Sequence, residues 1–345
     1  MATTPSRGTP FGRCVVTGHD ADGNAVIVSD GPPPGVIETD GYAFAQWLCL
    51  DAPPSTVDDD GEAPTGPVAL EPHPGGCSVR VLRLPAPDTD GPDDERWLRV
   101  DGDDPDRPGM HATDTLDLMV VLEGRIVLGL DDGERVLSPG DIVVQRGNRH
   151  RWRVSGDVPC TFAACMLRPD PTAGTEGASS VVAASAAPAT ADADGPRRIV
   201  AATDGDGRSF ALADGTPPNA LRAPGPDGVA LVELWQTGGL LARVDQGGDP
   251  VGDWALEPRD GGVAFRSVQF AAGHDPGEAG WHTTETIDVD MVVSGHLELS
   301  LPGTTPVVLG PGEAVVQRGT HHKWRPVGDE PVHFVAVMIP VGPRP

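Results

Sequence analysis

Length, composition and charge set the first limits on this chain. Its 345 residues are enough for two globular domains. With 51 acidic against 25 basic residues the formal net charge is −26, so the sequence lacks the basic surface that nucleic acid or an anionic membrane requires. No apolar run reaches the ~18 residues of a membrane helix, and the first residues lack the apolar centre of a signal peptide. We therefore expect a cytoplasmic protein with no nucleic-acid partner and no membrane partner.

Five cysteines lie in the first half of the chain, and none forms a CxxC pair. A disulfide framework normally has an even number of cysteines at compact spacing in a small secreted domain. Free thiols in a reducing compartment therefore fit this pattern better.

A long internal repeat organises the chain. The segment 109–130, GMHATDTLDLMVVLEGRIVLGL, matches the segment 280–301, GWHTTETIDVDMVVSGHLELSL, 171 positions later. A second pair of segments, 139–152 and 311–324, shares the pattern PGxxVVQRGxxHxW. Because the period is far longer than that of a solenoid repeat, the pattern indicates a duplicated domain.

The composition between the two copies indicates a linker. Residues 169–196 are rich in Ala, Ser, Thr, Pro and Gly and show no hydrophobic period, which is typical of a flexible connection. We therefore predict one domain over 10–168, a flexible linker over 169–196 and a second domain over 197–345. The Asp-, Pro- and Gly-rich stretches 51–67 and 86–108 are predicted to be long surface loops or disordered segments.

Both copies are predicted to be β-structure, because strand-sized runs with alternating apolar residues recur between Gly, Pro and Asp-Gly turns. In chain order the clearest runs are 118–122, 125–130, 142–145, 161–167, 291–293, 297–301, 314–317 and 333–339. Helical periodicity is scarce. Short strands of even length with Gly-rich turns favour an all-β sandwich or barrel.

Each copy carries a row of polar residues at alternate positions, so that a strand would direct them all to one face. The rows are His111, Thr113, Thr115 and Asp117, and His282, Thr284, Thr286 and Asp288, the second continued by Asp290. The period leaves open whether this face meets solvent or a barrel interior. A further histidine follows a glycine turn in both copies, His150 and His322, and in a barrel it would meet the first one.

Together the two blocks resemble the two conserved motifs of the cupin superfamily, here in tandem as in a bicupin similar to small bacterial cupin-2-type barrel proteins. In the first motif Gly124 and Gly295 each follow the histidine by thirteen residues, and Asp117 and Asp288 stand where the family has glutamate. The second motif is matched by His150 and His322. The resemblance implies two tandem jelly-roll β-barrels joined by the Ala/Ser/Pro-rich linker.

The resemblance also implies a divalent transition metal (Fe, Mn, Ni or Zn) in each barrel, but the second histidine of the family motif is absent. Thr113 and Thr284 occupy its place. What remains is two imidazoles and a carboxylate per copy, a donor set that such metals accept. These predicted metal ligands are His111, Asp117 and His150 in the first copy and His282, Asp288 and His322 in the second. The same groups can instead satisfy one another and a few waters without a metal.

Further residues are predicted to contact substrate or to support the ligands. They are Thr113, Thr115, Thr284, Thr286, Arg146 and Arg318, the arginines because a guanidinium at a barrel mouth holds a carboxylate. A surface arginine paired with Asp is the alternative for Arg146 and Arg318. Met119, Val121, Met291 and Val293 are predicted to form the apolar walls of the pocket.

Two function classes stay open at this point. One is a metal-dependent enzyme of small-molecule or secondary metabolism, of oxygenase, isomerase or decarboxylase type, and the other is a metal-free, non-catalytic ligand-binding or sensing bicupin. In both, the partner is a small organic molecule. We expect the two barrels to pair within one chain, and the sequence leaves further assembly into a homo-oligomer open. Of the two predicted sites, we favour His282, Asp288 and His322 as the working set.

Overall fold

The computed structural model describes most of the chain. The described residues are 11–33, 35–38, 42–59, 69–87, 96–170, 181–182, 195–217, 228–238, 244–245, 247–250 and 254–342. Strands dominate these ranges, which confirms the predicted all-β class. Short 3-10 helices cover Arg259–Gly261 and Gly277–Gly280. Within the described ranges, no helix has the length and apolar character needed to cross a membrane.

The first half of the chain contributes eleven strands, numbered in chain order. They are β1 Cys14–His19, β2 Ala25–Gly31, β3 Ile37–Glu38, β4 Ala43–Leu50, β5 Cys77–Leu84, β6 Leu116–Glu123, β7 Ile126–Leu130, β8 Gly133–Leu137, β9 Ile142–Arg146, β10 Arg151–Val154 and β11 Cys160–Leu167. The four runs predicted in this half fall on β6, β7, β9 and β11. The predicted loops 51–67 and 86–108 contain no strand in their described parts, 51–59, 86–87 and 96–108.

The remaining strands follow from the linker onward. They are β12 Val181–Val182, β13 Arg198–Thr203, β14 Ser209–Gly215, β15 Val229–Gln236, β16 Asp249–Pro250, β17 Ala264–Phe270, β18 Thr286–Ser294, β19 His296–Ser300, β20 Val307–Leu309, β21 Ala314–Arg318, β22 Lys323–Val327 and β23 Val332–Pro340. Of the predicted linker, 169–196, most lies outside the described residues. Its strand β12 pairs antiparallel with β16.

Two pairs of sheets form the two jelly-roll barrels. The first barrel has an eight-stranded sheet in the order β14-β13-β9-β6-β11-β5-β4-β3 and a three-stranded sheet β10-β7-β8. The second has a seven-stranded sheet β15-β17-β23-β18-β21-β1-β2 and a three-stranded sheet β20-β19-β22. Each barrel encloses an apolar cluster of its own, with Trp152 and Phe162 in the first and Trp324 and Phe334 in the second.

The two halves exchange their N-terminal hairpins. Strand β1 runs parallel to β21 of the second copy, pairing Cys14 with Ala314 and Val16 with Val316. Reciprocally, β13 of the second copy runs parallel to β9 of the first. The limits 10–168 and 197–345 stay a prediction for the repeat units along the chain, whereas each hydrogen-bonded barrel combines strands from both units.

The large sheets of the two barrels pack against each other. Their common core contains Leu116 and Leu118 of β6 together with Ile287 and Val289 of β18, all at most 1% exposed. Alternation along β6 and β18 then directs the intervening residues into the barrels, among them Asp117 and Asp288. This packing pairs the two barrels within one chain.

The glycine that ends the first motif is required by the turn after β6 and β18. Gly124 and Gly295 have φ of +71° and +74°, a region that L side chains rarely adopt. A Cβ on Gly124 would lie 2.2 Å from the carbonyl oxygen of Pro159, and one on Gly295 would lie 2.5 Å from that of Pro331. The close approach of the proline that directly precedes β11 or β23 therefore fixes these two residues as glycine.

Candidate functional site

The structure brings together the two histidines predicted for each copy. His111 and His150 exchange both backbone hydrogen bonds, at 3.0 and 2.8 Å, and their ring centroids lie 4.3 Å apart. His282 and His322 do the same at 3.0 and 2.9 Å, with centroids 4.2 Å apart. In each barrel an isolated antiparallel bridge joins the two histidines, His111 to His150 just before β10 and His282 to His322 just before β22. These bridges place one imidazole pair in each barrel.

Backbone carbonyls fix the tautomer of all four rings. His111 Nδ1 lies 2.8 Å from the Gly109 oxygen, and His150 Nδ1 lies 2.9 Å from the Asn148 oxygen. In the second barrel the carbonyls of Gly280 and Thr320 accept from His282 and His322 at 2.9 and 2.8 Å. Because a carbonyl oxygen only accepts, Nδ1 carries the proton and the lone pair lies on Nε2.

Burial keeps these imidazoles neutral. It lowers the pKa of His150 and of His322 to about 3, with the neighbouring histidine as a second cause, and it lowers the pKa of His111 and His282 as well. Among the described residues, no side-chain or backbone donor reaches Nε2 of these rings. Each barrel therefore contains two adjacent nitrogen lone pairs that are available to a ligand.

Asp117 lies on the inward face of β6 and is held by the threonines of its own row. Thr115 donates to Oδ1 at 2.5 Å and Thr113 donates to Oδ2 at 3.4 Å. Burial raises the pKa of this carboxyl to about 6, against the two hydroxyl donors and the charge of Arg80, which lower it. Thr113 and Thr115 therefore orient the carboxylate in the first barrel.

Asp288 has the same position in the second barrel with one fewer hydrogen bond. Thr284 donates to Oδ2 at 3.1 Å, whereas Oδ1 has no hydrogen-bond partner among the described residues. Thr286 lies close enough to lower the pKa of Asp288, but its hydroxyl makes no hydrogen bond of acceptable geometry. Burial is the largest influence and raises that pKa to about 6.

The predicted three-ligand metal set is not assembled in the part of the chain that the structure describes. No group of three His, Cys, Asp or Glu side chains there is arranged to hold a metal ion. The charges that act on Asp117 are those of Arg80 and Glu71, and those that act on Asp288 are mainly Arg266 and Glu257. The two imidazoles suit a transition metal, but the third donor that such centres need is missing beside them.

An inward arginine in each barrel was not predicted. Arg80 on β5 and Arg266 on β17 are 5% and 3% exposed and face the interior. Each belongs to a row of paired residues that crosses the sheet, and the two rows correspond position by position. The rows are Gln46, Arg80, Ala164, Met119 and Val143, and Glu233, Arg266, Ala336, Asp290 and Val315. The alternation of residues along β5 (CSVRVLRL) and β17 (AFRSVQF) is the sequence pattern from which these inward arginines could have been predicted.

The rows differ at two positions, and both differences add a carboxyl to the second barrel. Glu233 replaces Gln46 and pairs with Arg266 Nε at 2.8 Å, while Arg266 also donates to the backbone oxygens of Ala255 and Leu256. Asp290 replaces Met119, whose sulfur lies 3.5 Å from Gln145 Nε2 in the first barrel. Asp290 makes no side-chain hydrogen bond to any described residue, and burial raises its pKa well above the usual range, with the charge of Asp288 acting in the same direction.

Arg146 and Arg318 lie on the opposite face of their strands from the inward residues Gln145 and Gln317. Arg146 donates to the backbone oxygen of Asp245 and lies over the Trp235 ring, with Cζ 5.9 Å from its centroid. It lines a cavity of about 740 Å³ at the junction of the two halves. The structure therefore does not bring these arginines together with the histidine pairs.

The predicted apolar walls are right in one copy and wrong in the other. Met119 and Val121 face the interior of the first barrel, beside Trp152. Met291 and Val293 instead lie in the core between the barrels, because they occupy the alternate register positions of β18. The apolar end of the first barrel is filled, with a cavity of only about 10 Å³ beside Met119, which is too small for an organic molecule.

Comparison with known proteins gives partial matches. The phomopsin biosynthesis cluster protein C′ of Diaporthe leptostromiformis is 54% identical over 52 residues, which cover 14% of this chain and 28% of that protein. The oryzines biosynthesis cluster protein J of Aspergillus oryzae is 40% identical over 65 residues, or 19% of this chain and 35% of that protein. A cupin-domain-containing oxidoreductase, srdB of Neurospora crassa, is 30% identical over 146 residues, covering 41% and 65%. The chain thus spans between 28% and 65% of the length of these relatives.

Solved structures match over nearly the whole chain at low identity. AerE from Microcystis aeruginosa is 11% identical with a TM-score of 0.45, covering 89% of this chain and 97% of its own. A cupin 2 conserved barrel domain protein from Leptotrichia buccalis is 8% identical with a TM-score of 0.41, covering 88% and 91%. No family model matches the chain.

Proposed function

The chain resembles the cupin superfamily in both motifs and carries two such barrels in tandem, and on that premise we propose that it binds a small organic molecule at the histidine-bearing end of its barrels. His282, Asp288 and His322 of the second barrel are the set that we favour. The observation that carries the proposal is the pair of neutral imidazoles whose Nε2 atoms have no donor among the described residues. Acceptor nitrogens that no described donor occupies favour a ligand that supplies hydrogen-bond donors.

The chemistry available at this end combines hydrogen bonding by the histidines with acid–base chemistry by Asp288. Nε2 of His282 and of His322 accepts a hydrogen bond from a ligand hydroxyl, and the lowered pKa of both rings leaves the proton on the ligand. Asp288, with a pKa of about 6, is found in both protonation states near neutral pH and is therefore able to donate or accept. Thr284 orients one oxygen of Asp288 and leaves Oδ1 for the ligand.

The named relatives support a role in small-molecule metabolism. Two of them are described as biosynthesis cluster proteins, and srdB is described as an oxidoreductase. Their matched segments cover only part of each protein, so the reaction type, among oxygenase, isomerase and decarboxylase, is part of the proposal. Location in the cytoplasm and assembly beyond one chain are proposals of the same kind.

A metal-dependent enzyme is the second candidate, and one observation favours it. The hydrogen bonds from Nδ1 to the carbonyls of Gly280 and Thr320 are of the type that orients metal-binding histidines. A third ligand is missing among the described residues, so the side chains present do not complete a centre for Fe, Mn, Ni or Zn. We therefore assign no step to a metal.

Ligand-induced thermal stabilisation tests the proposal. Wild-type protein would be screened against keto acids, phenols and polyketide-like molecules, first after EDTA treatment and then after addition of Fe, Mn, Ni or Zn. We expect stabilisation by at least one class, and His322→Ala or Asp288→Ala should abolish it while the matched variants His150→Ala and Asp117→Ala retain it. If the first-barrel variants abolish the signal instead, the assignment to the second barrel is wrong.

The same screen separates the two candidates. Stabilisation that persists after EDTA treatment supports a metal-free ligand-binding protein. Stabilisation that appears only with about one equivalent of bound metal, lost together with that metal in His282→Ala, supports the metal-dependent enzyme. If no class stabilises any form of the protein, the proposed function is contradicted.

A further inference from the structure

We propose that Thr17, which belongs to the N-terminal hairpin of the first copy, is a positioning residue for His322 in the second barrel. The hairpin exchange places Thr17 directly after the last pair of β1 with β21, at the turn that leads to His322. Thr17 is fully buried. The inference depends on the proposed function only in taking His322 as a working group.

The Thr17 hydroxyl makes every hydrogen bond that a hydroxyl group is able to make. Its proton is donated to Gln317 Oε1. Its two lone pairs accept from the Arg318 backbone N–H at 3.0 Å and from the Thr320 hydroxyl at 3.1 Å. One side chain of the first copy therefore holds three successive points of the turn in the second.

The turn passes this constraint on to the imidazole. Gln317 Nε2 donates to the Thr320 carbonyl at 3.3 Å, and the same carbonyl accepts the His322 Nδ1 proton at 2.8 Å. The carbonyl that fixes the tautomer and ring orientation of His322 thus belongs to a residue whose own hydroxyl is bound to Thr17. Loss of Thr17 therefore releases Thr320, the residue whose carbonyl accepts the His322 Nδ1 proton.

The first barrel achieves the same result within its own turn. Asn148 occupies the position of Thr320, and its Oδ1 accepts from the Arg146 N–H at 3.0 Å while its Nδ2 donates to Gln145 Oε1 at 3.4 Å. The Asn148 carbonyl accepts from His150 Nδ1 at 2.9 Å. The residue paired with Gln145 on the exchanged strand β13 is Ala201, which packs in the apolar cluster of the first barrel.

The two barrels therefore contain alternative solutions to one requirement. In the first barrel the side-chain amide of Asn148 holds the turn, and the side chain of Ala201 on the exchanged strand contributes no hydrogen bond to it. In the second barrel the hydroxyls of Thr320 and Thr17 hold the turn, and Thr17 comes from the other copy. In the second barrel the orientation of a site histidine thus depends on docking of the first copy's hairpin.

Histidine nitrogen NMR tests this inference without any ligand. Protein labelled with [15N]histidine would report the Nδ1–H signals of His150 and His322, assigned with His150→Gln and His322→Gln. In Thr17→Ala we expect solvent exchange of the His322 Nδ1 proton to accelerate at least about tenfold, the factor of one lost hydrogen bond, with His150 unchanged. Thr17→Ser should retain the wild-type rate, and Asn148→Ala should move His150 alone.

The double variant Thr17→Ala/Thr320→Asn decides the matter if Thr17→Ala folds poorly. It recreates the first-barrel arrangement in the second barrel, and we expect it to restore slow exchange at His322. Equal acceleration at His150 and His322 in Thr17→Ala, an unchanged His322, or a double variant that fails to restore the signal would each overturn the inference. Because no ligand is added, a protein without ligand binding in the screen above leaves this result intact.

Discussion

His282 and His322 are joined by two backbone hydrogen bonds of 3.0 and 2.9 Å, and their rings lie 4.2 Å apart with both Nδ1 protons bound to backbone oxygens. The pair is made from two distant motifs, one before β18 and one before β22. The first barrel repeats this relationship with His111 and His150. Two barrels thus present the same nitrogen lone pairs, and they differ in the charge around them.

The first prediction concerns the extra carboxyl of the second barrel. Asp290→Met introduces the residue found at the equivalent position 119, and it removes a buried carboxyl that has no hydrogen bond to the described residues. We expect the free energy of unfolding at pH 7 to rise by ~1–3 kcal/mol, the usual cost of a buried polar group without a partner. Urea denaturation measures this change.

The pH dependence and the reciprocal variant serve as controls for Asp290→Met. A raised pKa means that the folded state binds the proton more tightly, so the gain from Asp290→Met should be larger at pH 8 than at pH 4. Met119→Asp should destabilise the first barrel by a similar amount. A loss of stability in Asp290→Met at pH 7 would contradict the reading of Asp290 as an unpaired acid.

The second prediction is a pH slope due to Asp117. Burial raises its pKa from 3.8 to about 6, so its contribution to stability is complete below pH ~4 and is lost as the pH rises through 6. The total is about 3 kcal/mol at 1.36 kcal/mol per pKa unit. Between pH 4 and 6, Asp117→Asn should reduce the dependence of the unfolding free energy on pH by the contribution of roughly one bound proton. Urea denaturation at several pH values across that range measures this change.

Asp131 provides a control of opposite sign. Although burial acts to raise its pKa, hydrogen bonds from Ser209 and Arg107 lower it to about 2. Its contribution is therefore present above pH ~4 and is lost as the pH falls towards 2. Asp131→Asn should change the slope only at the acid end, and a matching change between pH 4 and 6 would show that the effect of Asp117→Asn is unspecific.

The third prediction concerns the glycine that closes the first motif. In Gly124→Ala the new Cβ would lie 2.2 Å from the Pro159 oxygen, which forces the start of β11 to move. We expect a loss above ~4 kcal/mol, the range that marks severe core disruption. Gly303 has a similar φ of +72° with open space around it, so Gly303→Ala isolates the backbone strain at ~1–2 kcal/mol. Equal thermal shifts in the two variants would show that the contact with Pro159 is unimportant.

The fold is predictable from the sequence where a pattern is periodic or repeated. The alternation through Leu116, Leu118 and Val120 predicts β6, and the repeat predicts that the second copy folds as the first. The exchange of hairpins left no trace in the sequence, because β1 and β13 are alike in length and apolar character and fit either barrel.

The site was predicted only in part for a related physical reason. Motif spacing indicates that His111 and His150 lie on facing strands, and the structure brings them together. Alternation did not say which face of β18 meets the other barrel, so Met291 and Val293 were assigned to the pocket although they lie between the barrels. Thr17 could not be found by spacing at all, since it acts on a turn 300 residues away along the chain.

Each barrel presents two neutral imidazoles whose Nε2 atoms accept from no described residue, and histidine nitrogen NMR across pH 4 to 8 tests this arrangement most directly. His111, His150, His282 and His322 should all show the Nδ1–H tautomer, and His150 and His322, with pKa values of about 3, should stay neutral down to pH ~4. Signals of His282 and His322 that show the Nε2–H tautomer, or a His322 signal that becomes protonated well above pH 4, would contradict the account.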